Sequence, residues 1–370
     1  MYSELGQTTN KVDEFAADFW DDKVIIKGKV YDAGQIATET LNISKDDNQK
    51  LLNLSVKLEK ELMPFVDHNP VNDEAFLNIQ NAINKMNEII FKLPLYSKLE
   101  LDFDFHNSFV KNMDDEQKKQ VSTIGSEEYL KFMIFMKRFI AIPHEIINFQ
   151  HMIFNLEHNA LRRTKLKNES LYAYACMDFF TNLPFIKKIQ DASPDPSIGQ
   201  FTPSPQVEMV YAVSMHPEKD GELVFVERMY FESLMAFLAI DLFKALHFGH
   251  APIKCKNCGR YFLNITGYNS VYCDGLDPKN PTLTCRQIGA KVAEKEKNSN
   301  NPAYREYKKA YRRVQTDCTR GNITVTEKRL VLDELLKIRL DARTKKWTDK
   351  QIIEAFKKEP LYRRLQIGQK

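Results

Sequence analysis

The sequence predicts an α+β protein that is predominantly helical. Apolar residues recur at steps of three and four through much of 40–190 and again after residue 302, which is the spacing of a buried helix face. Two apolar strands that flank a turn at 216–221 predict one β-hairpin in the middle of the chain. These patterns divide the chain into four segments: a helical acidic N-terminal body at 1–192, a β-hairpin with a buried helix at 206–250, a treble-clef-like four-cysteine zinc module at 251–297, and a basic helical C-terminal tail at 302–370.

The N-terminal body is predicted to be mainly helical, with two short strands. Its clearest helical stripe places six apolar residues on one face: Phe76, Ile79, Ile83, Met86, Ile89 and Ile90. Residues 24–30 and 99–105 are strand candidates, the second because apolar and acidic residues alternate there. Residues 193–205 hold four of the fifteen prolines, which predicts a loop before the hairpin.

The central segment predicts a hairpin followed by a buried helix. Val207–Met215 and Leu223–Val226 are its two strands. The helix from about Glu232 to Leu246 carries only Asp241 and Lys244 as charged residues beyond its first turn. A helix that is apolar on nearly all sides must be covered by other parts of the protein, so we expect it in the interior.

Four cysteines with the spacing C-x2-C-x14-C-x11-C predict a zinc site: Cys255, Cys258, Cys273 and Cys285. Thiolates are preferred zinc ligands, and a structural zinc ion takes four ligands in a tetrahedral shell. Gly259 follows Cys258, as in a tight knuckle turn, and Cys285 directly precedes a predicted helix whose amide dipoles favour a thiolate. Four thiolates leave no open coordination position, so the predicted zinc stabilises the fold and carries no reaction.

The sequence leaves alternatives to this site open. His247 or His250 could replace one cysteine, because the gap of eleven residues before Cys285 is long for a compact zinc ribbon. A redox Cys-x-x-Cys pair, or unrelated buried thiols, would explain the knuckle without a metal.

Charge is distributed unequally along the chain. Residues 251–370 contain 27 Lys and Arg against 13 Asp and Glu, a net charge of +14, whereas residues 1–250 contain 26 against 37, a net charge of −11; the sum is the overall +3. A basic C-terminal part on an acidic body predicts contact with a polyanion. A solvated helical surface that carries many charges would give the same imbalance without a partner.

We therefore expect nucleic acid as a partner, with eight cations as its phosphate contacts: Arg260, Arg286, Lys291, Arg305, Lys308, Lys309, Arg312 and Arg313. Tyr304, Tyr307 and Tyr311 lie among these cations at helical spacing. Tyrosines in this pattern either stack on bases or form the buried stripe of an amphipathic helix, and the spacing favours packing.

The cysteine segment resembles a known bacterial family. Cys255 begins a Cys-x-x-Cys-Gly-Arg-Tyr-Phe knuckle, and a later Thr-Cys-Arg-x-Ile-Gly-Ala-Lys element is matched by Thr284, Cys285, Arg286, Ile288, Gly289, Ala290 and Lys291. Together with the preceding hairpin and helix, residues 207–293 resemble a family of unknown function that is associated with mobile elements. They are more distantly similar to CGNR-type zinc fingers, although the Cys-Gly-Asn-Arg tetrad is absent. This likeness implies a zinc knuckle in a regulator that binds DNA.

Two other functions compete with nucleic-acid binding. In one, the chain is a protein-interaction component of a phage-defence or mobile-element system, with a protein partner or self-association and a purely structural zinc. In the other, the acidic face of the strand at 99–105 holds a divalent metal for a nuclease, using Glu100, Asp102, Asp104 and His106. A half-buried strand whose charged side chains face solvent has the same alternation. No GxxxxGK[ST], GxSxG or GxGxxG motif occurs, which argues against a loop that cradles phosphate. We expect a binding protein rather than an enzyme, with the nuclease as the enzymatic alternative.

The predicted compartment is the cytoplasm. Six cysteines in 370 residues are too few for a disulfide scaffold, and the first residues lack the basic and apolar regions of a signal peptide. No run of about 18 apolar residues occurs, so we expect no membrane span.

Overall fold

The computed structural model describes residues 11–367, with gaps at 13, 68–70, 102–109, 160, 162–167, 182–206, 217–218, 220, 267–269 and 300. It divides into two units, Met1–Val271 and Tyr272–Lys370. Helices predominate and the strands form small antiparallel sheets, which confirms the predicted α+β class. The division after Val271 falls inside the segment 251–297 that the cysteines define.

A five-stranded antiparallel sheet organises the first unit. Its strands are β1 (Phe15–Trp20), β2 (Lys23–Ile26), β3 (Lys29–Asp32), β4 (Glu208–Met215) and β5 (Leu223–Phe231), in the spatial order β3-β2-β1-β5-β4. The predicted strand 24–30 is two strands, because a two-residue turn at Lys27 and Gly28 reverses the chain. The predicted hairpin is β4 and β5. Since β5 pairs with β1, with Phe231 opposite Phe15, the segments 1–192 and 206–250 share one sheet.

Seven helices of the first unit are described: α1 (Gln35–Thr40), α2 (Lys45–Val66), α3 (Asp73–Ile90), α4 (Asp115–Ser122), α5 (Glu127–Asn159), α6 (Glu169–Thr181) and α7 (Leu234–His247). Five of the six residues of the apolar stripe predicted for α3 are at most 5% exposed, and the sixth, Ile89, is partly buried against the same core. The side chain of Asn72 caps the start of this helix by accepting the N–H of Ala75 at 2.9 Å. Among the described helices, none combines the length and the apolar character needed to cross a bilayer.

The apolar helix α7 lies in the interior, as its composition predicts. Nine of its fourteen residues are buried, including the carboxyl group of Asp241. Asp241 accepts hydrogen bonds from the backbone N–H groups of Gly34 at 2.7 Å and Ala37 at 2.9 Å, at the start of α1. Burial raises the pKa of Asp241 to about 7, against the opposing effect of these hydrogen bonds. The sole acidic residue of this helix therefore fixes α1 to the core.

A second carboxylate, which is partly buried, positions α7 itself. Glu145 of α5 accepts the hydroxyl of Ser233 at 2.9 Å and the N–H of Met235 at 3.0 Å, at the first turn of α7. Burial raises the pKa of Glu145, while these hydrogen bonds act in the opposite direction. Negative charge at a helix N-terminus interacts favourably with the helix dipole. Glu145 of α5 caps the start of α7, and Asp241 of α7 caps the start of α1. These two contacts fix α5, α7 and α1 relative to one another.

The prediction of a strand at 99–105 is wrong for the residues of this range that the structure describes. A 3-10 turn covers Tyr96–Lys98, and Leu99 and Glu100 continue as a turn in which Glu100 has a φ of 51°. Glu100 forms an ion pair with Lys29 at 2.7 Å. The other residues of the nuclease hypothesis, Asp102, Asp104 and His106, lie outside the described residues. At Leu99 and Glu100, the alternation of apolar and acidic residues therefore did not identify a strand.

The remaining elements are two small hairpins and the C-terminal helices. β6 (Ala251–Lys254) pairs with β7 (Tyr261–Asn264), and β8 (Leu276–Asp277) pairs with β9 (Asn280–Thr284). The helices of the second unit are α8 (Cys285–Ser299), α9 (Pro302–Thr319), α10 (Val325–Thr344), α11 (Asp349–Ala355) and α12 (Lys358–Arg364). The sequence has Thr-x-x-Glu at Thr324 and Thr-x-x-Gln at Thr348, which predict capping boxes, and a capping box begins α10 and α11 at these two residues. The last helix, α12, tolerates Pro360 because this residue lies in its first turn.

Candidate metal centre and basic groove

The first cysteine pair lies on the β6–β7 hairpin. Cys255 follows β6, and its N–H donates to the carbonyl of Arg260 at 2.8 Å, which closes the turn that contains Cys258. Gly259 occupies the left-handed region, with a φ of 75°, and its N–H donates to the carbonyl of Cys255 at 3.0 Å. A residue with a side chain rarely adopts this conformation, so the Cys-Gly order in the sequence has a direct structural reason.

The second cysteine pair flanks the β8–β9 hairpin. The N–H of Cys285 donates to the carbonyl of Gly275 at 2.9 Å, and the N–H of Arg286 donates to the carbonyl of Cys273 at 3.0 Å. These two bonds hold Cys273 beside the first turn of α8. The hairpin occupies the eleven residues between the two cysteines, which accounts for a spacing that is long for a zinc ribbon.

A capping box at the start of α8 orients Cys285. The N–H of Thr284 donates to Gln287 Oε1 at 3.0 Å, and Thr284 Oγ1 accepts the N–H of Gln287 at 3.2 Å. This reciprocal pair satisfies backbone groups that the first turn of a helix leaves without partners. Cys285 is the first residue of α8 and is completely buried. The signal for this capping box in the sequence is Thr284 followed three residues later by Gln287.

The sulfur atoms of Cys255, Cys258, Cys273 and Cys285 all lie within 4.8 Å of one another. Four thiolates about 2.3 Å from one zinc ion would be about 3.8 Å apart in a tetrahedron, so the set fits a metal ion. None of the six cysteines of the chain forms a disulfide. Cys255 and Cys285 are buried, whereas Cys258 and Cys273 are partly exposed. The predicted set of four is thus brought together and could hold a metal ion.

The histidine alternatives lie outside this cluster. His247 Nδ1 is 2.6 Å from Glu169 Oε1, so this imidazole has a carboxylate partner elsewhere. Burial lowers the pKa of His250, which is not a member of the described cysteine group. Four sulfur ligands complete a tetrahedral shell without either imidazole.

Asn42, a residue that the sequence did not single out, anchors the knuckle hairpin. Its Nδ2 donates to the carbonyl of Tyr261 at 2.9 Å, and its Oδ1 accepts the N–H of Tyr261 at 2.7 Å. Asn42 follows α1, the helix that Asp241 fixes to the core. The side chain of Tyr261 also packs against the main hydrophobic core. The position of Cys255 and Cys258 is therefore set by the N-terminal body.

Gly289 permits the close approach of α8 to Tyr272. A methyl group at Gly289 would lie 2.4 Å from Cδ2 and Cε2 of the Tyr272 ring, which is far inside van der Waals contact. Tyr272 immediately precedes Cys273, so this contact fixes the third cysteine against the helix that the fourth begins. The glycine of the Ile-Gly-Ala-Lys element thus has a packing role.

A basic groove lies between α8 and α9. It has a volume of about 480 Å³ and is lined by Lys291, Glu294, Lys295, Tyr304, Arg305, Lys308, Lys309 and Arg312. Five of the eight predicted cations meet in this groove, and Lys295 joins them as a sixth that the sequence did not single out. Every one of the six is exposed. Two separate basic stretches of sequence therefore form one surface.

The cations of the groove are partly neutralised. Lys308 lies 3.7 Å from Glu294 and Lys309 lies 2.8 Å from Glu306. A hydrogen bond with Tyr304 and the charge of Glu294 raise the pKa of Lys308, so this group keeps its proton at neutral pH. Within the part of the chain that the structure describes, no carboxylate pairs with Lys291, Lys295 or Arg312. The groove therefore retains a surplus of positive charge.

The other predicted cations do not line the groove. Arg260 is exposed on the knuckle turn, and Arg286 pairs with Asp274 at 2.8 Å. Arg313 is partly buried, and its Nη2 donates to the carbonyl of Phe356 at 2.7 Å. Arg313 therefore stabilises the packing of α9 against α11. A count of charges along the sequence cannot distinguish such a partly buried arginine from a surface cation.

The tyrosines of α9 divide between packing and exposure. Tyr307 packs against the core of the second unit, as its spacing favours. Tyr304 lies between two cations, with Arg339 Cζ at 4.7 Å and Lys308 Nζ at 4.9 Å from its ring centroid. Tyr311 is 38% exposed. The buried stripe of the helix is completed by Ala303, Ala310 and Val314.

Comparison with known proteins gives one match. Residues 202–367, or 166 of the 370 residues, match a family of unknown function (DUF6076). No curated protein and no solved structure matches the chain. The matched region extends from the β4–β5 hairpin to α12 and contains all four clustered cysteines and the basic groove. The C-terminal part of this chain is therefore similar to a family without an assigned activity.

Proposed function

We propose that the chain binds nucleic acid through the basic groove between α8 and α9. The observation that supports this proposal is the meeting of six exposed cations in one groove that has a single acidic residue in its lining. Residues 272–370 contain 24 Lys and Arg against 13 Asp and Glu, a net charge of +11, so the surrounding field also attracts a polyanion. Phosphate contacts of this kind release counterions, which makes the binding sensitive to salt.

We assign zinc to the four-cysteine cluster, as a structural ion. Four thiolates form a closed tetrahedral shell, which suits zinc and leaves no position for water or substrate. Cys285 begins the helix that carries Lys291 and Lys295, so the ion would stabilise the start of one wall of the groove. The metal acts on binding by holding the fold, and no chemical step depends on it.

Charge reversal inside the groove tests the proposal. The double variant Lys295→Glu and Arg312→Glu places two carboxylates at the groove and leaves Tyr304 and Lys308 unchanged. The matched control is Lys337→Glu and Lys350→Glu, two exposed lysines on α10 and α11 that lie outside the groove. Both variants change the net charge equally. Binding to labelled duplex DNA, single-stranded DNA and RNA is measured by fluorescence anisotropy.

We expect the groove variant to bind at least ten times more weakly than the control, because each lost phosphate contact contributes about 1 kcal/mol or more and repulsion adds to that loss. Equal affinities of the two variants would show that binding follows net charge and not the groove. The relative affinities for DNA and RNA identify the nucleic acid. An association with mobile elements and a cytoplasmic location stay predictions from the sequence.

A further inference from the structure

The β4–β5 hairpin presents an apolar face to solvent. Tyr211 is 70% exposed and Phe225 is 75% exposed, and Val213 lies between them, directly opposite Phe225. Met215 and its partner Leu223 extend the same face toward the hairpin turn and are also exposed. Single exposed apolar residues are ordinary, but a contiguous row along two paired strands is typical of an interaction surface.

The same hairpin also has an open edge. β4 is the last strand in the sheet order, so among the described residues no strand lies on its outer side. The N–H of His216 donates to the carbonyl of Glu222 at 2.9 Å, which makes this pair a hydrogen-bonded one. Because such pairs alternate along an antiparallel ladder, the odd-numbered residues of β4 direct their N–H and C=O groups away from β5. Met209, Tyr211, Val213 and Met215 therefore direct their backbone groups toward an edge where no described strand pairs with them.

β4 lacks the features that protect an exposed edge. No charged residue and no proline occurs between Met209 and Met215. The pairing with β5 runs without a bulge from Glu208 to Met215, so the edge is regular along its whole length. Natural edge strands usually carry a lysine, a proline or a bulge, which prevents pairing with another strand. An unprotected edge of this length is suited to accept a further strand.

We propose that the edge of β4 pairs with β4 of a second copy of this chain, as an antiparallel two-fold dimer. Symmetry allows registers that are centred on a residue. With Ala212 at the centre, Met209 lies opposite Met215, and Tyr211 lies opposite Val213. The one charged residue of the strand, Glu208, then lies opposite His216 of the second copy, which places a carboxylate acceptor beside an imidazole that can donate a hydrogen bond. Directly opposite side chains share a face, and the two apolar faces become continuous.

The self-pairing follows from the strand itself. An interface between identical copies must be self-complementary, and an apolar strand with an acidic residue at one end and an imidazole at the other satisfies this condition. The odd-numbered residues supply the hydrogen bonds of the new ladder. Ala212 would face Ala212 of the second copy in a pair without hydrogen bonds, where the Cα atoms approach to about 4.5 Å.

The oligomeric state of the full chain tests this proposal. Sedimentation velocity over a wide range of concentrations is expected to show a dimer. Val213→Lys places a charge at the edge, and Val213→Pro removes an N–H that points away from β5, so neither change disturbs the pairing of β4 with β5. Both variants are expected to be monomeric with an unchanged far-ultraviolet spectrum. The matched control is Leu77→Lys, which replaces an apolar residue of α3 that is similarly exposed.

A monomeric wild-type protein overturns the proposal, and so does a dimer that survives both changes at Val213. The register is tested by Ala212→Cys, which we expect to form a covalent dimer on mild oxidation, since the two Cα atoms lie within disulfide range. The wild-type protein, oxidised in parallel, controls for its own cysteines. A dimer sensitive to Val213→Lys that does not cross-link through residue 212 overturns the register centred on Ala212.

Discussion

The side-chain amide of Asn42 forms two hydrogen bonds with the backbone of Tyr261, one to its carbonyl at 2.9 Å and one from its N–H at 2.7 Å. Tyr261 is three residues beyond Cys258, so this pair fixes the knuckle hairpin to the end of α1. We predict that Asn42→Ala lowers the free energy of unfolding by about 1–3 kcal/mol, because two hydrogen bonds are lost. The metal should also pass more quickly to a chelator, which a colorimetric assay measures.

The control for this change is Asn53→Ala, an exposed position on α2. If the Asn42 variant released its metal as slowly as the control, the knuckle would hold its geometry without the contact to the end of α1. That result would contradict the prediction.

Gly289→Ala is predicted to destabilise the second unit. Replacing a helical glycine with alanine ordinarily stabilises a protein by about 0.5–1 kcal/mol, so a loss of stability would have a specific cause. The cause is the Tyr272 ring, which an added methyl group would approach to 2.4 Å. We expect a lower thermal midpoint and weaker metal retention. The double variant Gly289→Ala and Tyr272→Leu should recover part of the loss, and a stabilised single variant would contradict the contact.

Cys258→Ser is predicted to lower the metal content from one ion per chain to a substoichiometric value. Removing one of four thiolates opens the shell, because a serine hydroxyl is a poor zinc ligand. Cys318→Ser is the matched control, since this cysteine lies outside the cluster. Elemental analysis of both proteins measures the metal and identifies it. A full metal content in the Cys258 variant would show that the cluster is not the site.

The buried Asp241 predicts an unusual dependence of stability on pH. Burial raises its pKa in the folded protein to about 7, against an ordinary value of 3.8. Between these two values the folded state binds more protons than the unfolded state, so the free energy of unfolding falls as the pH rises from about 4 to about 7. The slope from one group is at most about 1.4 kcal/mol per pH unit.

Asp241→Asn should remove this slope, as measured by urea unfolding at several pH values. Every other titratable group is the same in both proteins, so the difference between the two curves isolates Asp241. Asp67→Asn, at an exposed position, is the control. Parallel curves for the wild-type and Asp241→Asn proteins would contradict the assignment.

Local patterns in the sequence predicted the elements that depend on local chemistry. The stripe of α3, the capping boxes at Thr324 and Thr348, and the apolar helix α7 each follow from residues a few positions apart. The cysteine spacing predicted the cluster because a knuckle turn and a helix start place thiols by short-range geometry. These features need no knowledge of the rest of the fold.

Features that depend on distant parts of the chain escaped prediction. The pairing of β1 with β5 joins residues more than 200 positions apart, and the sequence of neither strand indicates that the other is its partner. Asn42 is an ordinary polar residue in the sequence, and its role arises from Tyr261, 219 positions away. Arg313 was grouped with the surface cations because burial by α11 is not encoded in its neighbours. In each case tertiary contacts, and not local preference, decide the outcome.

The salt dependence of binding by the full chain tests the central claim most directly. Wild-type protein with a full metal complement is titrated into labelled nucleic acid at a series of salt concentrations. Because each neutralised phosphate of duplex DNA contributes a slope of about −0.9, four to six contacts from the groove predict a slope of about −4 to −5 in a plot of log K against log salt. No binding at about 50 mM salt, or an affinity that salt leaves unchanged, would contradict the proposal that the groove binds nucleic acid.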